Sequence, residues 1–114
     1  MPNQLDDIIK NIRHILSTSP GERIKYPEYG CDLSVLASNP ATEKTINFSV
    51  EQITKSLERF EPEIKVERVT INNQTAQDGF MIIEIIFRIL SSKIQYQFTH
   101  IFRLVPSSTQ RTKT

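Results

Sequence analysis

The segment from Phe80 to Leu90 constrains the fold most, because it is almost continuously apolar. One of its alternating faces is entirely apolar, and the other is interrupted by Glu84 and Arg88. The apolar face consists of Met81, Ile83, Ile85, Phe87 and Ile89. This composition is typical of a strand in the middle of a sheet, since both of its faces need cover. We therefore predict a central strand whose second face is partly covered.

A second strand is predicted before the central one. Ile64 and Val66 alternate with polar residues, and Val69 and Ile71 alternate in the opposite phase. A shift of one residue moves every side chain to the other face of a sheet. The change of phase at Glu67-Arg68 therefore predicts a β-bulge or bend.

A third strand is predicted from Ile94 to Leu104, where apolar and polar residues alternate, and Ser91-Ser92-Lys93 joins it to the central strand as a hairpin. In a three-stranded sheet this strand is an edge. Unpaired backbone groups at an edge can accept a strand of another chain. Only Arg103 and Pro106 protect the edge in the sequence. A covered or twisted edge fits the pattern equally well.

Two amphipathic helices are predicted before the strands. The first is capped by Asn3 and ended by Pro20-Gly21. The second has Asn39 as its cap and Pro40 at its first position, and it ends before Pro62. The apolar residues that step by three and four in the first helix are Leu5, Ile8, Ile9, Ile12, Ile15 and Leu16. Those in the second are Ile46, Val50, Ile53, Leu57 and Phe60.

The order helix, loop, helix and three strands predicts the α+β class, with both helices packed on one face of a small antiparallel sheet. The length of 114 residues suits one core, so residues 1–105 are predicted to form a single domain. Residues 106–114 are polar and are predicted to be a disordered tail.

Composition argues against several kinds of partner. A formal net charge of +1 provides no bulk attraction to nucleic acid or to a membrane surface. A single cysteine excludes an internal disulfide, and His14 and His100 lack the spacing of metal ligands. We expect no cofactor, no metal, no nucleic-acid partner and no membrane partner.

Catalysis has little support in the sequence. The carboxylates from which a glycosidase pair could be assembled are Glu22, Glu28, Asp32 and Glu61. No spacing places two of them on one rigid element. A cysteine nucleophile would require His14 or His100 beside Cys31, whose apolar neighbourhood is more typical of a small buried hydrophobe. We therefore predict no catalytic residue.

The segment from Ser17 to Leu36 has neither helical nor strand periodicity. Irregular segments of this length are uncommon in small domains, and they are usually functional. We predict an ordered docking surface in which Cys31 and Leu33 point inward. Arg23, Tyr26 and Tyr29 would then face partners.

Several of these motifs resemble the baseplate wedge family of contractile tails. The resemblance covers residues 5–105. The strings that carry it are Ile12 to Thr18, Gly21-Glu22-Arg23, Pro27 to Leu33 and the Glu61-Pro62 pair at a helix end. The family contains the short wedge (W) protein of contractile phages, the TssE component of type VI secretion and counterparts in extracellular injection systems.

The resemblance implies a structural role in a multi-subunit assembly. Members of the family dock on the helical bundle of larger wedge subunits and nucleate the contractile sheath by accepting sheath strands at a sheet edge. The residues implied to contact the wedge core are Glu61, Pro62, Arg23 and Tyr29. Those assigned to strand addition are Tyr96, Phe98, His100 and Phe102. The expected location is the bacterial cytoplasm or the assembled particle.

One motif departs from the family pattern, and two other functions stay open. The family has Glu-Pro-Arg after the second helix, whereas this chain has Glu61-Pro62-Glu63. The change removes a bidentate donor, which Arg59 or Lys65 would replace unless the partner's charge differs too. The alternative functions are a peptidoglycan hydrolase, since some members have been labelled lysozyme-like, and a generic protein-binding adaptor.

Overall fold

A computed structural model of the protein describes residues 3–104. The helices are α1 (Gln4–Ser17), α2 (Ser34–Ser38) and α3 (Glu43–Phe60). The strands are β1 (Ile64–Asn72), β2 (Phe80–Ile89) and β3 (Gln95–Arg103), which form one antiparallel sheet in the order β1-β2-β3. The predicted α+β class and the central position of β2 are confirmed. The predicted tail at 106–114 and the strand end at Pro106 lie outside the described residues.

The core lies between the helices and one face of the sheet. The apolar face predicted for β2 is completely buried, as the alternation of its sequence requires. The side chains that cover it from the helices are Ile8, Ile12, Ile15 and Leu16 of α1, Leu36 of α2, and Ile53 and Leu57 of α3. The predicted apolar stripes of the two long helices therefore do face the sheet.

The bulge predicted in β1 is also present. The pairing register between β1 and β2 shifts between Val66 and Arg68, where the apolar alternation changes phase. The extra residue lets Val66 and Val69 both point into the core although they are three residues apart.

The predicted start of the second long helix is wrong. Asn39 ends α2, because its N–H donates to the carbonyl of Val35 at 3.0 Å. Pro40 belongs to a link whose carbonyl accepts a hydrogen bond from the side chain of Asn73 at 3.1 Å. Helix α3 begins at Glu43, with Thr42 as its N-terminal cap residue.

Candidate protein-interaction surfaces

The segment between α1 and α2 is held in place by its own backbone. The Gly21 N–H donates to the carbonyl of Pro27 at 2.6 Å, and the Cys31 N–H donates to that of Thr18 at 2.9 Å. Gly30 has a left-handed φ of 118° and lies against the Thr18 carbonyl. Cys31 is only 2% exposed, and Leu33 is also buried. The predicted inward anchoring of these two residues is confirmed.

An aromatic stack joins this segment to the end of α3. The ring of Tyr29 packs against Phe60 at 5.1 Å between centroids, and the guanidinium of Arg23 lies 4.2 Å from the centre of the Tyr29 ring. The Tyr29 hydroxyl is 2.8 Å from Nδ1 of His14. Burial raises the pKa of Tyr29, Arg23 lowers it, and the charge of Glu61 raises it. The structure thus brings together Arg23, Tyr29 and Glu61.

Glu61 itself is hidden from solvent, with an exposed fraction of 2%. One of its carboxylate oxygens accepts a hydrogen bond from Nδ2 of Asn11 at 2.7 Å, and the other accepts from the Glu63 N–H at 3.3 Å. These contacts fix the turn that follows α3. Pro62 and Glu63 are exposed on that turn, so they are the residues that a partner can reach.

The tip of the β2–β3 hairpin lies beside this turn. The Leu90 N–H donates to the carbonyl of Glu63 at 2.9 Å, and the Gln4 amide donates to the Glu63 carboxylate at 2.9 Å. The side chains of Leu90 and Ile94 are 53% and 51% exposed. We define the turn surface as Pro62, Glu63, Leu90 and Ile94.

Sequence reasoning missed the two apolar members of the turn surface, because it treated the hairpin only as a connection. The available signal was an apolar residue on each side of Ser91-Ser92-Lys93. Both proposed replacements for the family arginine make contacts within the chain, although their side chains are largely exposed. Arg59 packs over the ring of Phe60 at 4.9 Å, and Lys65 is 3.7 Å from Glu58.

The outer edge of β3 offers unpaired backbone groups. The Ile89 N–H donates to Ile94, and the Leu104 N–H donates to Gly79, so these opposite residues are hydrogen-bonded pairs. Such pairs alternate along antiparallel strands. The residues of β3 whose backbone groups point away from β2 are therefore Gln95, Gln97, Thr99, Ile101 and Arg103. Within residues 3–104, no hydrogen bond engages these groups.

The residues predicted for strand addition lie one position out of phase with this edge. Tyr96, Phe98, His100 and Phe102 direct their backbone groups toward β2 and their side chains toward the helices. Phe98 is buried, and the Arg13 guanidinium lies 5.5 Å from the centre of its ring. Burial and the charge of Arg13 lower the pKa of His100. An added strand would therefore meet the outward backbone groups of the intervening residues of β3.

The opposite edge, on β1, is partly occupied. The Val66 N–H points away from β2 and donates to the carboxylate of Glu58 at 2.8 Å. The Ile64 N–H donates to the Glu61 carbonyl at 3.3 Å. The bulge at Glu67 interrupts the rest of the edge, and bulges protect edges from pairing. The two edges are thus unequal, and β3 is the more accessible.

Two comparisons with known proteins gave a match. The family model described as baseplate wedge protein gp25 matches residues 3–93. The chain belongs to this family. The match makes it a structural component of the baseplate of contractile tails. It includes the turn surface except Ile94, whereas the whole of β3 lies beyond its end.

One solved structure supports the assignment of this wedge protein. It is a protein from Geobacter sulfurreducens, provisionally described as a tail lysozyme, at 27% identity and a TM-score of 0.84. The alignment covers 94% of this chain and 96% of the other. A comparison with curated proteins gave no match.

Three of the four candidate carboxylates of the wedge protein are engaged in local contacts, namely those of Glu28, Asp32 and Glu61. Asp32 accepts hydrogen bonds from the backbone and the hydroxyl of Ser34, which lower the pKa of Asp32. A glycosidase acid needs the opposite shift. Glu28 lies 3.9 Å from Arg59, and burial raises the pKa of the Cys31 thiol to about 11. A thiol of this kind is a poor nucleophile at neutral pH.

Between residues 3 and 104, no group of three or more histidine, cysteine, aspartate or glutamate side chains is arranged to hold a metal ion. None of the helices in that range has the length and apolarity to cross a bilayer.

Proposed function

We propose that this wedge protein joins the wedge core of a baseplate to the first ring of the sheath and thereby nucleates sheath assembly. The observation that carries the proposal is the open outer edge of β3. The machine is a contractile injection device, and the protein acts in the bacterial cytoplasm during assembly and then within the particle.

Strand addition accounts for the contact with the sheath. The outward N–H and C=O groups of five residues of β3 form a continuous row. An extended arm of a sheath subunit pairs with this row and becomes a fourth strand. Glu58 blocks the corresponding position on β1, so the arm is directed to one edge only.

The turn surface accounts for the contact with the wedge core. Leu90 and Ile94 are apolar side chains held on a rigid tip, since the Ile89 N–H donates to Ile94 at 3.0 Å and Arg88 donates to the Lys93 carbonyl at 2.6 Å. A rigid tip loses little conformational entropy on binding. It fits an apolar groove between helices of the larger wedge subunits, and the stack of Arg23 on Tyr29 extends the contact.

Co-purification with the sheath and wedge proteins of the same particle tests the proposal. The wild-type chain is expected to retain both partners. Thr99→Pro removes an outward N–H and should abolish sheath binding, whereas Thr99→Ser keeps that N–H and should bind as wild type does. Circular dichroism confirms that both variants fold. Sheath binding by folded Thr99→Pro at the wild-type level would contradict strand addition.

The description of the Geobacter sulfurreducens protein raises peptidoglycan hydrolysis as a second candidate. A muramidase assay on purified peptidoglycan separates the two functions. Because Glu28, Asp32 and Glu61 are all held in other contacts, we expect turnover no greater than that of a Glu28→Gln control. Clear hydrolysis by the wild type, with loss in a carboxylate variant, would favour the enzyme.

A further inference from the structure

A groove runs alongside the C-terminal half of the open edge. It has a volume of about 450 Å³ and lies between β3 and the segment that follows α1. One wall is formed by Phe102 and Leu104, and the other includes Leu16, Cys31, Leu33 and Ala37. Apolar surface is therefore the larger part of the lining, and the polar residues of the lining are His100, Arg103 and three serines.

The groove is placed where the side chains of an added strand would fall. Thr99, Ile101 and Arg103 direct their backbone groups outward, so a partner strand lies next to them in the plane of the sheet. Alternate side chains of that strand point toward the helix side, as those of Phe98 and His100 do. On the helix side of the sheet, the groove lies next to the outer edge of β3.

The dimensions fix how many side chains the groove receives. Residues 100–104 border it, and this stretch of strand extends roughly 13 Å at about 3.3 Å per residue. Side chains on one face of a strand recur at every second residue. Two successive helix-facing side chains of the partner strand therefore fit along the groove.

We propose that this groove selects the sheath arm by binding two apolar side chains at alternate positions. The inference rests on the proposed strand addition and specifies its partner: an extended segment of the sheath protein with aliphatic residues at positions i and i+2. The main-chain hydrogen bonds along β3 can form with a partner strand of any sequence. The groove rejects a charged side chain of that strand, because desolvation of a charge against Cys31 and Leu33 is costly.

Substitutions at two positions of α2 test the groove separately from the edge. Ala37→Phe places a large side chain in the groove and should weaken binding of purified sheath protein by about tenfold or more. Ala37→Leu should weaken it less. Val35→Phe places the same side chain on α2 at an exposed position that does not line the groove, and it should bind as wild type does. Thermal melts verify that each variant is folded.

The outcomes distinguish this inference from the function on which it rests. Loss of binding in Thr99→Pro together with wild-type binding in Ala37→Phe would overturn the groove proposal and leave strand addition standing. Wild-type binding in folded Thr99→Pro would overturn both. If Ala37→Phe changed the oligomeric state, or if a chain ending at Leu104 bound sheath more tightly, the groove would belong to a second copy or to the chain's own C-terminal residues.

Short peptides tiled across the sheath protein provide an independent probe. The peptide that binds the wild-type chain should carry aliphatic residues at alternate positions. Aspartate at either of two positions i and i+2 should abolish its binding, and aspartate at i+1 should not. A binding peptide that tolerates aspartate at every position would contradict selection by the groove.

Discussion

At the scale of single residues, Gly30 holds the segment between α1 and α2 against the end of α1. Its φ of 118° is strained for any other residue, and an added Cβ would collide with the backbone carbonyl of Thr18. We predict that Gly30→Ala lowers the free energy of unfolding by about 3 kcal/mol. Thermal unfolding should show a fall in Tm of roughly 10 °C.

Gly21 provides the matched control for this change. Its φ of 96° is also left-handed, but no atom lies within 4 Å of the added Cβ. Gly21→Ala should therefore lower the free energy of unfolding only through the strain of the left-handed backbone, by about 1 kcal/mol. Equal losses for the two variants would show that the collision with Thr18 does not matter.

Glu61 is a second residue whose role the structure specifies. Glu61→Ala removes the buried carboxylate that accepts hydrogen bonds from the side chain of Asn11 and from the N–H of Glu63. We predict a loss of about 2 kcal/mol in unfolding free energy, measured by urea titration. A double-mutant cycle with Asn11→Ala should show a coupling of about 1 kcal/mol.

The Glu61→Ala variant also tests whether Glu61 only holds the turn in place or itself contacts the wedge core. A positioning role predicts that wedge binding falls together with the stability of the turn and recovers when the variant is assayed well below its Tm. Full stability combined with lost wedge binding would instead show that the carboxylate itself touches the partner.

At the scale of elements, the strands were predictable and the helix boundary was not. The faces of β2 and the bulge of β1 follow from a period of two, which the core imposes directly. Asn39 and Pro40 carry the signals of a helix start, but Asn39 closes α2 and Asn73 fixes the link. A contact between residues so distant in the chain leaves no local signal.

The interaction surfaces show the same limit. Alternation identifies which side chains of β3 face the core, but it does not say which backbone groups point outward. That phase depends on the pairing with β2. The blocking of Val66 by Glu58 likewise requires α3 to lie over the β1 edge. Burial of Glu61 against Asn11 also depends on packing between elements, so no sign of it is present in the sequence.

At the scale of the whole molecule, the two surfaces are set apart by the length of α1. The start of the helix bonds to the turn surface, because Gln4 donates to Glu63. Its end reaches the groove, which Leu16 lines. A helix of 14 residues extends roughly 20 Å. The proposed wedge and sheath partners therefore have room to bind at the same time.

This separation predicts that binding of the two partners can be lost independently. Leu90→Asp introduces a charge into the proposed apolar contact and should weaken wedge binding by about tenfold or more, because an anchor residue loses its pocket. It should leave sheath binding unchanged, and Thr99→Pro should do the reverse. Phe48→Asp, at an exposed position of α3, is the control for an added charge. Surface plasmon resonance with each purified partner measures both affinities. If either variant remained folded but lost binding to both partners equally, the two surfaces would not be separate.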